Sequence, residues 1–215
     1  DPQIRLLLQT SWHAIEDAGY DISRSDLAIG NFCGMSTNSY LLKLLHTNSY
    51  TDFADPLLYR ILNEKDFLAT WISHKLNLTG PVMTVQAACS TSLLAVHLAS
   101  QSLLNRECDM ALAGGVSFDS NENVGYIHTP ESIYSKDGVC RPFDKDASGT
   151  VSGDGVGTIV LKRAIDAIND KDYIYAVIKG TAINNDGANK QSYTSPSINS
   201  QRDVILEASA VAYIS

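Results

Sequence analysis

The chain has 215 residues, 44% hydrophobic and 19% charged, enough for one domain with a sizeable buried core. Its formal net charge of −8 leaves no basic stripe to meet phosphates, which excludes a nucleic-acid binder, and no apolar run reaches membrane-spanning length. The four cysteines, Cys33, Cys89, Cys108 and Cys140, never form C-x-x-C, so zinc and redox pairs are set aside and a reduced, cytoplasmic chain is expected.

In chain order, Asp1 suits an N-cap and Pro2 the first helical position. Ile4, Leu7, Leu8, Ser11, Trp12, Ile15 and Ala18 recur at helical spacing, and Gly19 makes a stop. Leu27 to Cys33 reads as a short strand ending at Gly34, and Asn38 to Tyr59 as an irregular, partly helical excursion. Glu64 to Leu76 carries Phe67, Leu68, Trp71, Ile72 and Leu76 on one helical face. Asn77-Leu78-Thr79 is a glycosylation sequon by chance. After Gly80-Pro81, the run from Val82 to Val85 reads as a buried strand, followed by a helix of small and apolar residues. Asp109 to Val116 is a further buried strand, whose Gly114-Gly115 end suggests close backbone approach. Ser117 to Thr150 is a long polar loop, and loops of that length inside a domain are usually functional. Val156 to Leu161 and Tyr173 to Ile178 read as strands, Asn184-Asn185-Asp186-Gly187 as a turn, and Ile198 to Val211 as a helix. This alternation is that of an α/β layered domain around a mostly buried sheet. Both ends read as cut, so a fragment is expected.

One cysteine stands out. Cys89, between Ala88 and Ser90, sits where the strand at Val82 turns at once into a helix. A helix N-terminus offers unpaired N–H groups and the positive end of the dipole, which favour a thiolate. The same N–H groups can stabilise the oxyanion formed when the sulfur attacks a carbonyl. Packing alone is the plainer use of a cysteine. The strand-to-helix junction with small neighbours favours a nucleophile.

Other motifs are less productive. Ser152-Gly153-Asp154-Gly155-Val156-Gly157 is glycine-rich, but it leads into a strand rather than opening a helix, so no phosphate cradle is expected. Close backbone packing near the site is the better reading. His97 lies on the Cys89 helix, roughly 12 Å along its axis, too far for a Cys–His pair. It reads as a packed helix residue, as His13 reads as a surface or boundary one. His128, in the long loop, could approach the site, though nothing requires it. No complete catalytic set is visible. An acidic partner protein would need a local Lys or Arg cluster here, and the sequence does not reveal where.

Several stretches together resemble the ketosynthase domain of bacterial modular type I polyketide synthases, within the thiolase-like condensing enzymes. They are Asp1-Pro2-Gln3 with Arg5 to Leu8, Val85 to Leu93 around Cys89, Asp109 to Val116, Cys140-Arg141-Pro142-Phe143-Asp144, Gly149 to Gly155, and Lys179 to Gly187. Their number and order make the resemblance specific. It implies a layered α-β-α-β-α fold, incomplete here: the N-terminal half to about residue 165 and the start of the C-terminal half over 166–215. It also implies that Cys89 takes an acyl chain as a thioester, its backbone N–H serving the oxyanion. That chain is then condensed with a malonyl-type extender, with loss of carbon dioxide. The partner is an acyl carrier protein bearing the phosphopantetheine arm, no cofactor or metal is bound by the chain itself, and the intact domain is a homodimer.

The family draws its catalytic histidines and a lysine from His-Gly-Thr-Gly-Thr and Lys-x-Asn-x-Gly-His, and neither motif occurs in these 215 residues. The resemblance therefore implies that this stretch alone does not decarboxylate an extender. Trp71 stands where the family commonly has arginine, and Tyr213 where it commonly has glycine, which would strain a turn needing positive φ. The alternative is a non-elongating or structural ketosynthase-like domain that passes acyl chains without condensation. The presence of Cys89 argues against a purely structural role. A cysteine hydrolase is a weaker reading, because the local string is not G-x-[SC]-x-G.

Overall fold

The computed structural model describes residues 1–24, 26–47, 55–120, 125–130 and 132–214. Parts of the predicted excursion (48–54) and of the long loop (121–124 and 131) lie outside the described residues. The helices are α1 (Pro2–Asp17), α2 (Ser39–Thr47), α3 (Pro56–Ile61), α4 (Leu68–Leu76), α5 (Thr91–Leu104), α6 (Ala164–Asp170) and α7 (Ile198–Val211). The strands are β1 (Ile29–Met35), β2 (Val82–Thr84), β3 (Met110–Ser117) and β4 (Gly155–Lys162).

They form one sheet in the order β2-β1-β3-β4. β1 runs parallel to both β2 and β3, and β4 closes the sheet antiparallel to β3. Parallel neighbours need crossovers, and α4 and α5 provide them. α1 and α4 cover one face, where Ile4, Leu7, Ile15, Leu68, Ile72 and Leu76 pack on Ile29, Cys33, Met35, Met110 and Leu112. α5 covers the other, laying Ala95, Ala99 and Leu103 on Phe32, Ala111 and Ala113. All seven residues of β1 are buried, which is why it lacks the alternation of a one-sided strand. Burial also pushes the Cys33 thiol up to about 12, because a thiolate there would lose its water.

α1 begins as expected, with the Asp1 carboxylate accepting the Gln3 N–H at 2.7 Å. Its buried face is narrower than the apolar pattern, since Trp12 is 45% exposed. Gln3, only 1% exposed, fills the gap between strand ends. Its Oε1 accepts the Ser36 hydroxyl at 2.7 Å and the Phe118 N–H at 3.2 Å. That ties α1 to the carboxyl ends of β1 and β3.

At the opposite end, Lys162 is buried to its head group and donates to Tyr20 Oη at 2.5 Å, to Asp172 at 2.7 Å and to Asp170. Burial alone would lower its pKa. The hydrogen bonds to Asp170, Asp172 and Tyr20 outweigh it, so the ammonium is held above its ordinary value. Next to it, Arg163 caps the end of α5, donating to Leu103 O at 3.0 Å and Cys108 O at 2.6 Å.

Val82 to Val85 is not the buried strand expected, because β2 lies at the sheet edge with Met83 47% exposed. Other expectations also need correction. Tyr173 to Ile178 forms no strand, because no described strand offers it a ladder of hydrogen bonds. The residues after Lys162 include a short helix, α6, that the pattern did not announce. Gly153, Gly155 and Gly157 face open space rather than packed backbone. The close approach belongs instead to Gly114, where a Cβ would overlap the Gly157 carbonyl oxygen across the β3–β4 pair.

Candidate active site

Cys89 is exposed and lies between the carboxyl end of β2 and the first turn of α5. In open parallel sheets, ligand crevices form outside the carboxyl ends of the strands, and this residue stands there. Pairing with β1 continues one residue past β2, with the Val85 N–H donating to Cys33 O at 2.8 Å. The chain then turns within residues Ala88–Ser90, a single 3₁₀ turn, before the helix starts. Ala88 takes φ +49, a left-handed conformation that costs an L-residue about 1 kcal/mol. Only the six residues 85–90 separate strand from helix. The exposed Cys89 follows this left-handed residue directly.

The turn sits on glycines. A Cβ at Gly34, near the end of β1, would overlap both the Val85 carbonyl oxygen and the Thr91 methyl group. At Gly115, beside it on β3, an added Cβ would reach Ser92 only at ordinary contact distance, so the tight approach is confined to Gly34. At Gly34, β1 thus approaches the turn more closely than any side chain would allow. Ser90, the N-cap of α5, makes no side-chain bond to the helix, so the first helical N–H groups carry no side-chain cap. Those groups are the ones suited to a developing oxyanion.

The histidines do not join Cys89. His97 Nδ1 lies 2.9 Å from the Thr181 hydroxyl, so the helix uses it to hold the 171–197 segment. His128 is exposed in the long loop, and His13 is exposed on α1. Among the described residues no group of His, Cys, Asp and Glu is arranged to hold a metal.

The long loop has structure of its own. Ser135 is fully buried and shares hydrogen bonds with Asp137 at 2.6 Å, Ser148 at 3.0 Å and the Val139 N–H at 3.2 Å. The Ser135 hydroxyl and Arg141, which pairs with Asp137 at 2.8 Å, hold the Asp137 carboxyl well below the usual range. At Gly149, φ is +144 and a Cβ would meet the Ser135 backbone at 2.6 Å. Phe143, in the Arg141-Pro142-Phe143-Asp144 stretch, takes φ +63 and is fully exposed. Nothing in the sequence pattern alone distinguishes Ser135 or Gln3 from ordinary polar residues.

Comparison with known proteins agrees with this geometry. Residues 1–167 match the family described as beta-ketoacyl synthase, N-terminal domain, and residues 175–215 match its C-terminal domain. A phenolphthiocerol/phthiocerol polyketide synthase of Mycobacterium tuberculosis is 52% identical over the whole chain, which covers 15% of that protein. Polyketide synthase PksN of Bacillus subtilis is 41% identical over 95% of the chain, which covers 4% of it. Among solved structures, ketosynthase twelve of the bacillaene polyketide synthase of Bacillus amyloliquefaciens superposes with a TM-score of 0.91 at 36% identity. The superposition covers all of this chain and 37% of that one. The module 1 ketosynthase of the bacillaene synthase of the same organism gives 0.85 at 38% identity, covering all of this chain and 36% of its own. The layered α/β fold is that of the thiolase-like ketosynthases, and the chain belongs to the beta-ketoacyl synthase family.

Proposed function

We propose that the chain is part of a condensing ketosynthase domain of a modular polyketide synthase, with Cys89 as its nucleophile. The Cys89 sulfur attacks the carbonyl of an acyl thioester presented on the phosphopantetheine arm of an acyl carrier protein. The new C–S bond forms as the old one breaks, and the carrier thiol leaves with a proton. A malonyl-type extender on a carrier protein then loses carbon dioxide. The resulting enolate attacks the Cys89 thioester, forming the carbon–carbon bond and returning the cysteine to its free state. Backbone N–H groups at the turn stabilise the oxyanion in both attacks.

The observation that carries this reading is the exposed Cys89 on a strained turn at the carboxyl ends of the sheet's parallel strands. The histidines and lysine expected to assist decarboxylation do not occur as motifs in these 215 residues. The reading divides the chain near residue 165 and places the domain in the cytoplasm as a homodimer. Intact-mass measurement of acyl loading in the full-length protein tests it. Cys89→Ala should reduce loading by at least about 10³-fold. Loading that survives on another cysteine would overturn the assignment.

A further inference from the structure

We infer that Thr91 is a positioning residue for the nucleophile, and that its hydroxyl and that of Ser90 together lock the strained turn. This rests on Cys89 being the nucleophile. The turn's unfavourable element is Ala88 at φ +49, which persists only if the peptide groups around it are held. Both polar groups of Ala87, the residue before it, are held. Its N–H donates to Thr91 Oγ1 at 2.9 Å. Its carbonyl oxygen accepts the Ser90 hydroxyl at 2.9 Å and the Ser90 N–H at 3.1 Å.

The two side chains therefore clamp one residue from opposite ends. Neither hydroxyl caps the helix in the usual sense, since Ser90 makes no bond to an α5 N–H and Thr91 bonds backward, outside the helix. The Thr91 methyl completes the arrangement. It occupies the space left open above Gly34, where a Cβ would collide with it. Thr91 thus joins the turn to β1 by packing and to Ala87 by hydrogen bonding. Serine can supply only the second of these, and valine only the first.

That difference gives the test. Acyl loading onto the full-length protein is followed by intact mass, using a small N-acetylcysteamine thioester over a range of concentrations. Melting temperature is recorded for each variant. Thr91→Val should lower the maximal loading rate about 5- to 10-fold, the effect of one lost hydrogen bond, with the half-saturating thioester concentration unchanged. Thr91→Ser should restore most of the rate. Should Thr91→Val fail to fold, Ser90→Ala decides, because it removes the other half of the clamp at an exposed hydroxyl; a drop of about threefold or more supports the lock. Wild-type rates in Thr91→Val, or in Ser90→Ala where it alone folds, would overturn the inference. So would a loss in Thr91→Val that serine does not recover. Cys89→Ala run in parallel separates the two claims: if it still loads, the nucleophile assignment fails first.

Discussion

The sheet and its three flanking helices differ sharply from the segment that follows Lys171. In the first region apolar side chains are consumed: Leu7, Leu68, Ile72 and Met110 are all fully buried. In the second, Tyr173, Tyr175, Val177, Ile198, Ile205 and Val211 are more than half exposed, and α7 buries no residue. α7 nevertheless carries Val204, Ile205, Ala208 and Val211 at helical spacing. Periodicity therefore states which face a helix needs covered, while burial depends on whether a complementary surface stands opposite. α7 is held by the close approach of Gly180 to the Ala208 carbonyl oxygen and by a hydrogen bond from Asn184 to Ser200 O at 2.7 Å.

This contrast can be broken by substitution. In the 215-residue chain, Ile72→Ala should cost about 3 kcal/mol by urea unfolding, through lost burial and the cavity it leaves. Ile205→Ala should cost less than about 0.5 kcal/mol. A loss of about 2 kcal/mol or more for Ile205→Ala in the full-length protein would show that this face is covered there.

Between these extremes lies Lys162, which joins the two regions through Tyr20, Asp170 and Asp172. Lys162→Met should cost about 2 kcal/mol by removing a largely buried cation from its two carboxylate partners and the Tyr20 hydroxyl. Its pKa is raised on folding, so its contribution is complete below the unfolded lysine value and is lost as pH rises through the folded one. The difference in unfolding midpoint between wild type and Lys162→Met should therefore hold steady from neutral pH to about 10 and shrink above it.

The smallest expected effect is a gain. Tyr213 takes φ +55 with its ring fully exposed, so the ring gives up little to contact while the backbone is strained. Tyr213→Gly should raise stability by about 0.5–1 kcal/mol, read as a higher urea midpoint. An unchanged or lower midpoint would mean that the exposed ring matters.

Much of the fold was legible. α1, the buried β1 and β3, the Cys89 junction and the β4 run follow from period and punctuation, whereas Tyr213 was marked only by resemblance to a family that commonly has glycine at that position. α6 escaped because seven residues are too few to display a helical period. Tyr173 to Ile178 misled because β-branched and aromatic residues report a preference for strand, whereas a strand exists only with a hydrogen-bonding neighbour. At the site, Cys89 was visible through its position between strand and helix. Thr91 was not, because a threonine at a helix start has the same appearance whether it bonds forward into the helix or backward to Ala87. That choice is made by the left-handed Ala88, a conformation that alanine does not advertise.

The glycine at position 34 has a mechanical consequence. With no side chain between β1 and the turn, the proposed nucleophile is mounted against β1, an inner strand of the sheet, with almost no compliant material beneath it. On the proposed function, a long acyl chain attached at Cys89 would act as a lever, and its thermal motion would load that mount. The recoil would pass through the short 85–90 segment into β1, which is buried along its whole length, so the sulfur would keep its address while the chain it carries moves.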